Sequence, residues 1–199
     1  MSDITTETIK QLRTETGVSV MQCKKALEEA GGDLEKAKVI LRKQSANSAS
    51  KKADRELGAG IVRAYIHNNN SVGVLVELNC ETDFVAQNKE FVELADNIAM
   101  HIAAMNPAFT RASEVTDEAK AKVIEVMQAE VAGLDKPEDM KAQILEGKVS
   151  GYFKEKALLD QAYIKNPDIT VEKLIEEAIQ KIGEKIEIAR FSRFGVLES

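Results

Sequence analysis

Over residues 4–43 the hydrophobic positions recur at helical spacing in three short runs. The first run stops at Gly17, a residue type that readily adopts the left-handed conformation found at helix ends. The second run begins after Ser19 and the third after Asp33, and both side chains carry oxygens that cap helix starts. Within each run the apolar residues are three or four positions apart and so share one helix face. The pattern therefore predicts a bundle of three short helices.

Alternating hydrophobicity then predicts strands. Residues 61–66 are rich in apolar side chains, residues 72–79 alternate, and polar turn residues between them are typical of a hairpin. Residues 88–104 have the apolar stripe of a helix that covers one face of a sheet, and residues 185–197 form a last strand. We therefore expect a small antiparallel sheet of about three strands, covered by helices.

Further helices are predicted between the hairpin and the last strand. They span residues 116–132, 137–158 and 170–182, and the middle segment is either one helix or two helices with a break near Gly147. The helix-rich pattern around a small sheet places the chain in the α+β class.

Charge supports a division into domains. Residues 1–56 carry 11 Lys+Arg and 9 Asp+Glu, a net charge of +2. Since the whole chain has a net charge of −6, the remaining residues carry −8. The small polar residues that follow the bundle are typical of a tether or a frayed helix. We expect a three-helix docking domain at residues 1–45, a linker at 46–58, and an α+β core at 59–199.

Composition excludes several classes of function. The net charge of −6 disfavours direct nucleic-acid binding. No apolar run approaches the roughly 20 residues of a membrane span, and no signal peptide begins the chain, so we expect a cytoplasmic protein that does not bind membranes.

The few chemically reactive residues predict neither an enzyme nor a metal site. Two cysteines and two histidines lie far apart in the sequence, without the spacing of zinc ligands. Cys80, His67 and Asp83 make a poor thiol triad, because the cysteine ends an apolar strand and nothing marks the histidine as a base. Phosphate-binding glycine motifs are also missing from the sequence, so we expect no cofactor.

The segment from Cys80 to Ala86 joins the clearest strand to the clearest helix. Thr82 and Asp83 can cap a helix start at this corner. Phe84 is a large apolar side chain among polar neighbours, and two interpretations are open. Its ring either folds into the protein interior, as most Phe do, or stands outward as a contact for a partner.

This segment resembles a known signature. Thr82-Asp83-Phe84-Val85-Ala86, preceded by Val76-Glu77-Leu78-Asn79-Cys80, is similar to a motif of the translation elongation factor Ts family. The resemblance implies guanine-nucleotide exchange on elongation factor Tu. It further implies that Thr82, Asp83, Phe84 and Val85 contact that partner near the region that supports its Mg²⁺.

A second resemblance to the same family lies in the bundle. Leu12-Arg13, Thr16-Gly17 and Cys23-Lys24-Lys25-Ala26-Leu27 are similar to its amino-terminal signature. The resemblance implies a ubiquitin-associated-like domain that docks on the G domain of the partner through Arg13, Val20, Met21 and Lys24. The family's usual Ala-Gly-Met-Met is replaced here by Val18-Ser19-Val20-Met21, which implies a smaller apolar contact. Two other interpretations stay open: Met21 as a core residue and Arg13 as a solvated charge.

The chain looks like the short form of the family, with one core and no internal repeat. Short-form members pair, which implies a homodimer, and residues 190–194 of the last strand are our candidate for part of its interface. The alternative function is a helical binding module on an α+β scaffold that recruits a ribosomal or other protein without nucleotide exchange. That alternative leaves the Asp83-Phe84 corner unexplained.

Overall fold

A computed structural model describes residues 4–198 of the chain. Its α-helices are α1 (Thr6–Thr16), α2 (Val20–Glu29), α3 (Leu34–Ser50), α4 (Asp83–Ala86), α5 (Lys89–Met105), α6 (Asp117–Ala132), α7 (Glu138–Lys156) and α8 (Val171–Ile182). Its strands are β1 (Ala59–Ile66), β2 (Val72–Cys80), β3 (Ala162–Tyr163), β4 (Asn166–Thr170) and β5 (Ile186–Gly195). The α+β class predicted from the sequence is confirmed.

The three-helix bundle begins and ends its helices at the predicted signals. Gly17 terminates α1 with φ of 69°, and the Ser19 side chain accepts the N–H of Gln22 at the start of α2. Asp33 accepts two N–H groups in the first turn of α3, at 3.0 and 3.1 Å. The helices share one buried cluster, formed by Leu12, Val18, Cys23, Ala26, Leu27, Ala37 and Leu41. The local capping chemistry thus fixes three helices around a small core.

The last helix of the bundle is longer than the apolar pattern indicates. α3 continues to Ser50, so the first part of the expected linker 46–58 is helical. Ser45 is buried and its hydroxyl donates to the carbonyl of Arg42 at 2.7 Å, which lets a polar residue occupy the inner face.

The hairpin and the last strand form the predicted sheet, which is antiparallel with the strand order β1–β2–β5. Strand β2 buries one face through Val74, Val76, Leu78 and Cys80, while Leu75 on the other face is exposed. The apolar stripe of α5 is buried as expected, through Phe91, Leu94, Ala95, Ile98 and Ile102. Period-2 and period-3.6 patterns therefore identified the buried faces of both elements.

Helices α6 and α7 pack against each other. Thr116 caps α6 by accepting the N–H of Ala119 at 3.2 Å. Helix α7 runs through Gly147 without a break, which settles the two alternatives for this segment in favour of one helix.

A small second sheet was not predicted. Strands β3 and β4 pair antiparallel, with Ala162 opposite Thr170 and Tyr163 opposite Asn166. A strand of two residues is too short to show alternation in sequence, and β4 begins with Asn166-Pro167-Asp168, which is typical of a turn.

The chain divides into two compact units. One unit contains Met1–Arg63, Glu77–Asp96 and Lys173–Ile188, and the other contains Ala64–Val76, Asn97–Glu172 and Ala189–Ser199. The three-helix bundle and residues 80–86, which we call the Phe84 corner, both belong to the first unit. Within residues 4–198, no helix has the length and hydrophobicity that crossing a bilayer requires.

Candidate partner-binding surface

The corner after β2 presents an aromatic side chain to the outside. Helix α4 has only four residues, and Thr82 caps it by accepting the N–H of Val85 at 3.4 Å. The Phe84 side chain is 85% exposed, whereas Val85 and Ala86 are 5% and 8% exposed. The buried pair therefore occupies the inner side of the turn and Phe84 the outer side. Of the two interpretations of Phe84, the structure selects the exposed ring.

The four residues expected to contact a partner here do not all face outward. Thr82, Asp83 and Phe84 are exposed. Asp83 lies in the first turn of α4, where the positive end of the helix dipole stabilises its negative charge. Val85 is buried, so it offers almost no surface to another protein and instead anchors the turn. The expectation that Val85 contacts the partner together with the other three residues stays a prediction.

A glutamate from far along the chain holds this corner, and its role was not predicted from the sequence. The carboxylate of Glu184 accepts the N–H groups of Glu81 and Thr82, both at 3.1 Å, and the hydroxyl of Thr82 at 2.7 Å. Thr82 and Glu184 are separated by 102 positions. No local pattern carries a signal for a bond over such a distance, because the three-dimensional arrangement of the sheet brings the two turns together.

Glu81 makes the reciprocal contact. Its carboxylate accepts the N–H of Lys185 at 2.6 Å and the guanidinium of Arg55 at 3.1 and 3.3 Å. The Lys185 N–H, helped by Arg55, holds the pKa of the Glu81 carboxyl below its ordinary value. Glu81 therefore stays ionised at neutral pH and keeps both contacts.

Cys80 at the end of β2 has the properties of a structural thiol. Its Sγ lies 3.2 Å from the carbonyl oxygen of Thr82, and burial raises the pKa of the thiol. A nucleophilic cysteine needs a lowered pKa, so these surroundings favour a packing role. Among residues 4–198, no group of three or more His, Cys, Asp and Glu side chains is placed to hold a metal ion.

The bundle presents a second exposed apolar surface. Met21 is 82% exposed and Val20 49% exposed in the first turn of α2, while Val18 and Cys23 on either side are buried. Met21 is therefore a surface residue, which excludes its interpretation as core filler.

Lys24 extends this surface. It lies four positions after Val20 and three after Met21, which places the three residues on one face of α2, and its ammonium is 3.8 Å from Glu28. Arg13 is exposed on α1, near the end of that helix. We call Val20, Met21 and Lys24 the α2 patch.

The family model that matches this chain and the similar proteins given below have the same name. A family model described as Elongation factor TS matches residues 6–198. Elongation factor Ts of Thermosipho melanesiensis is 47% identical over 195 residues, covering 98% of this chain and 100% of that protein. The proteins of the same name from Carboxydothermus hydrogenoformans and Thermotoga petrophila are 49% and 47% identical, covering 96% and 98% of this chain and 88% and 98% of theirs.

Proposed function

Because this chain belongs to the elongation factor Ts family, we propose that it is a guanine-nucleotide exchange factor that releases GDP from elongation factor Tu during translation in the cytoplasm. The observation that carries the proposal is the Phe84 side chain, 85% exposed although the two residues that follow it, Val85 and Ala86, are buried. A large apolar ring held in water is costly unless a partner covers it. The role is one of binding, since no covalent bond of a substrate is made or broken.

Nucleotide exchange is a consequence of differential binding. A factor that binds the nucleotide-free partner more tightly than the GDP-bound partner weakens GDP binding by the same ratio. The factor therefore needs contacts that cannot coexist with an intact phosphate and Mg²⁺ site. Mg²⁺ demands near-octahedral geometry with ligands at about 2.1 Å, so even a small displacement of its supporting residues lowers the affinity.

The Phe84 corner has the properties that such a contact needs. The ring projects from a turn that is anchored by Val85 and Ala86 and held by the Glu184 carboxylate. Because the corner is already ordered before binding, little binding free energy is lost in ordering it, and more is available to displace residues of the partner. We propose that Phe84 inserts near the metal-supporting region of the partner, and that Asp83 and Thr82 compete for polar contacts there.

The α2 patch and Arg13 supply a separate contact in this proposal. The exposed Met21 and Val20 offer apolar area, and the cations Lys24 and Arg13 offer charge, for docking on the G domain. Residues 1–45 would form this docking domain, and the segment 46–58 would connect it to the core at 59–199. Binding energy collected at a distance from the nucleotide holds the Phe84 ring against its target.

One experiment separates the two contacts. Release of a fluorescent GDP analogue from elongation factor Tu is measured by stopped flow at increasing concentrations of Phe84→Ala, Met21→Asp and wild type. We expect Phe84→Ala to lower the maximal rate by about tenfold or more, because the displacing contact is lost. Met21→Asp should raise the concentration for half-maximal rate instead.

Both variants change exposed side chains, so circular dichroism should show unchanged folding. A Phe84→Ala rate equal to that of wild type would remove the ring from the mechanism. A wild-type protein that binds elongation factor Tu without accelerating release would favour the alternative of a binding module without exchange activity.

We also propose that the chain forms a homodimer. The second compact unit exposes several large apolar side chains on its strands or just after them: Ile66, Leu75, Phe194, Val196 and Leu197. Strand β5, which includes the candidate interface residues 190–194, is an edge strand of the sheet. An edge strand next to exposed apolar side chains favours pairing with a second copy.

A further inference from the structure

We propose that Glu184 is a positioning residue, which fixes the direction of the Phe84 ring by clamping the backbone that carries it. The inference rests on the proposed exchange function and adds to it a residue outside both expected contact sets. Glu184 lies in the turn between α8 and β5 and is itself only partly exposed, so its role is to act on the corner rather than on the partner.

The corner needs an external clamp because its own helix is too short to stabilise itself. Helix α4 has four residues, and its single turn is closed by three backbone hydrogen bonds, which the N–H groups of Ala86, Gln87 and Asn88 donate to the carbonyls of Thr82, Asp83 and Val85. An isolated turn of this length is not stable on its own. The N–H groups of Glu81 and Thr82 precede it and find no partner within the helix. Since the exposed Phe84 ring gains no orientation from a surrounding core, its direction depends on the backbone of residues 81–86.

Glu184 satisfies this backbone with one carboxylate. One oxygen accepts two consecutive N–H groups, from Glu81 and Thr82, and the other accepts the Thr82 hydroxyl. Because the hydroxyl gives its proton to Glu184, a lone pair of the same oxygen is oriented toward the N–H of Val85. The negative charge therefore acts through Thr82 on the first turn of α4, and each bond in this series polarises the next.

The contact is reciprocal between two turns. Glu184 accepts from Glu81 and Thr82, while Glu81 accepts from the N–H of Lys185 at 2.6 Å. We call Glu81, Thr82, Glu184 and Lys185 the carboxylate clasp. Four hydrogen bonds join the two turns, three accepted by Glu184 and one accepted by Glu81. Neither turn can rotate without breaking charge-assisted hydrogen bonds, which are about twice as strong as neutral ones.

The end of the connecting segment is attached to the same clasp. The ammonium of Lys185 donates to the carbonyl oxygens of Ala53 and Arg55, at 2.7 and 3.1 Å, and Arg55 donates to Glu81. If the docked bundle displaces residues 53–55, these hydrogen bonds transmit the displacement through Lys185 and Glu81 to the backbone next to Phe84. The clasp therefore connects residues 53–55, at the end of the segment that follows the docking domain, with the backbone next to Phe84, the residue proposed to displace the metal support.

Loss of Glu184 therefore has a defined consequence. The two N–H groups turn to water, the Thr82 hydroxyl loses its orientation, and the Phe84 ring samples many directions. The α2 patch and Arg13 are untouched, so docking is preserved. The maximal rate of GDP release falls while the concentration for half-maximal rate stays nearly constant, a separation that a general loss of folded protein would not produce.

The test compares Glu184→Ala and Glu184→Gln with wild type in the stopped-flow release assay on elongation factor Tu. We expect Glu184→Ala to lower the maximal rate by roughly tenfold, with less than about a twofold change in half-saturation. Glu184→Gln should fall between wild type and Glu184→Ala, since its amide oxygen still accepts N–H groups but its charge is gone. Glu146→Gln is the matched control, because it removes the same charge from an exposed site on α7 and should equal wild type.

A double variant distinguishes positioning from general destabilisation. If Glu184 acts through the ring, Phe84→Ala/Glu184→Ala should release GDP at the rate of Phe84→Ala alone. Multiplying effects in the double variant, or a Glu184→Ala rate equal to that of wild type, would overturn the inference. If Glu184→Ala is unfolded at the assay temperature, Glu184→Gln decides, and a wild-type rate for it overturns the inference as well.

The same assay tells this failure apart from a failure of the proposed function. A wild-type protein that does not accelerate GDP release refutes exchange itself. Acceleration by wild type, loss of it in Phe84→Ala and its retention in Glu184→Ala refute only the role of Glu184.

Discussion

The imidazole of His101 is buried in α5, and both of its nitrogens have hydrogen-bond partners. Its Nδ1 accepts the N–H of Ile164 at 3.2 Å, so the ring proton is on Nε2, which donates to the side-chain oxygen of Gln161 at 3.0 Å. The amide group of Gln161 donates in turn to the carbonyl of Glu155 at 2.7 Å. A buried polar network of this kind stabilises the fold only while every member keeps its partner.

The state of His101 predicts how stability depends on pH. Burial lowers the pKa of the imidazole below its ordinary value of 6.5. The unfolded chain therefore takes up a proton at a higher pH than the folded chain does. Since the unfolded state binds more protons below this value, the free energy of unfolding falls as pH drops through the region below 6.5.

Urea unfolding at about pH 7.5 and about pH 5.5 measures this effect. The fall in the free energy of unfolding should persist in His67→Gln and be largely removed in His101→Gln, because the glutamine side chain at position 101 does not titrate. Glu177 acts in the opposite sense, because burial raises the pKa of its carboxyl. Because of this opposing contribution, the decisive comparison is between variants: a His101→Gln protein whose free energy of unfolding falls as much as that of His67→Gln would contradict the assignment of His101.

Whether the Phe84 ring is buried or exposed could not be predicted from the sequence. In a four-residue helix the apolar pattern spans one turn, so Phe84, Val85 and Ala86 are all possible inner residues. The structure places Val85 and Ala86 inside and leaves the ring outside. Local sequence identified the corner and its Thr82 cap, while the choice of outer side chain depended on packing around it.

At the scale of the elements, two glycines with opposite surroundings test the packing of β1 and α7. A Cβ at Gly60 would lie 2.7 Å from the carbonyl oxygen of Leu78 and 3.0 Å from the Cα of Asn79. Those are backbone atoms of the neighbouring strand and cannot turn away, so Gly60→Ala should destabilise the protein by about 1–3 kcal/mol. Gly147 on α7 has nothing within 4 Å.

Gly147→Ala should therefore stabilise the protein, by about 0.5–1 kcal/mol, because alanine loses less backbone entropy in a helix. Thermal unfolding followed by circular dichroism measures both substitutions. A neutral Gly60→Ala would mean that the two strands separate at this point, and a destabilising Gly147→Ala would contradict a continuous α7.

Elements with strong local signals were predictable, whereas the small β3–β4 sheet and the contacts of Glu184 were not. Gly17, Ser19 and Asp33 fixed the helix boundaries of the bundle through their own backbone and side-chain chemistry. Strands β3 and β4 carry no such signal, since their pairing is too short to give a period. Glu184 was missed for a related reason, because its three hydrogen bonds reach residues more than 100 positions away.

At the scale of the whole molecule, the exposed apolar side chains belong to both compact units. Phe84 and Met21 belong to one compact unit, and Phe194 and Leu197 to the other. The first two are the contacts proposed for elongation factor Tu. The others need a different explanation, and a second copy of the chain supplies one because β5 is an edge strand of its sheet.

Phe194→Asp tests the proposed homodimer. The Phe194 side chain is 70% exposed, so the substitution should leave the single chain folded. In a two-fold interface each substitution occurs twice, and two buried carboxylates without partners oppose association strongly. Sedimentation equilibrium should give about twice the 21.9 kDa of one chain for wild type and a single chain mass for the variant.

Phe84→Asp provides the matched control for this experiment, because it places the same charge on the other highly exposed phenylalanine. It should remain dimeric while losing exchange activity, whereas Phe194→Asp should become monomeric. A wild-type protein that sediments as a monomer at all concentrations contradicts the dimer. A Phe194→Asp protein that stays dimeric places the interface elsewhere, since a surface that tolerates two new charges is not buried between copies.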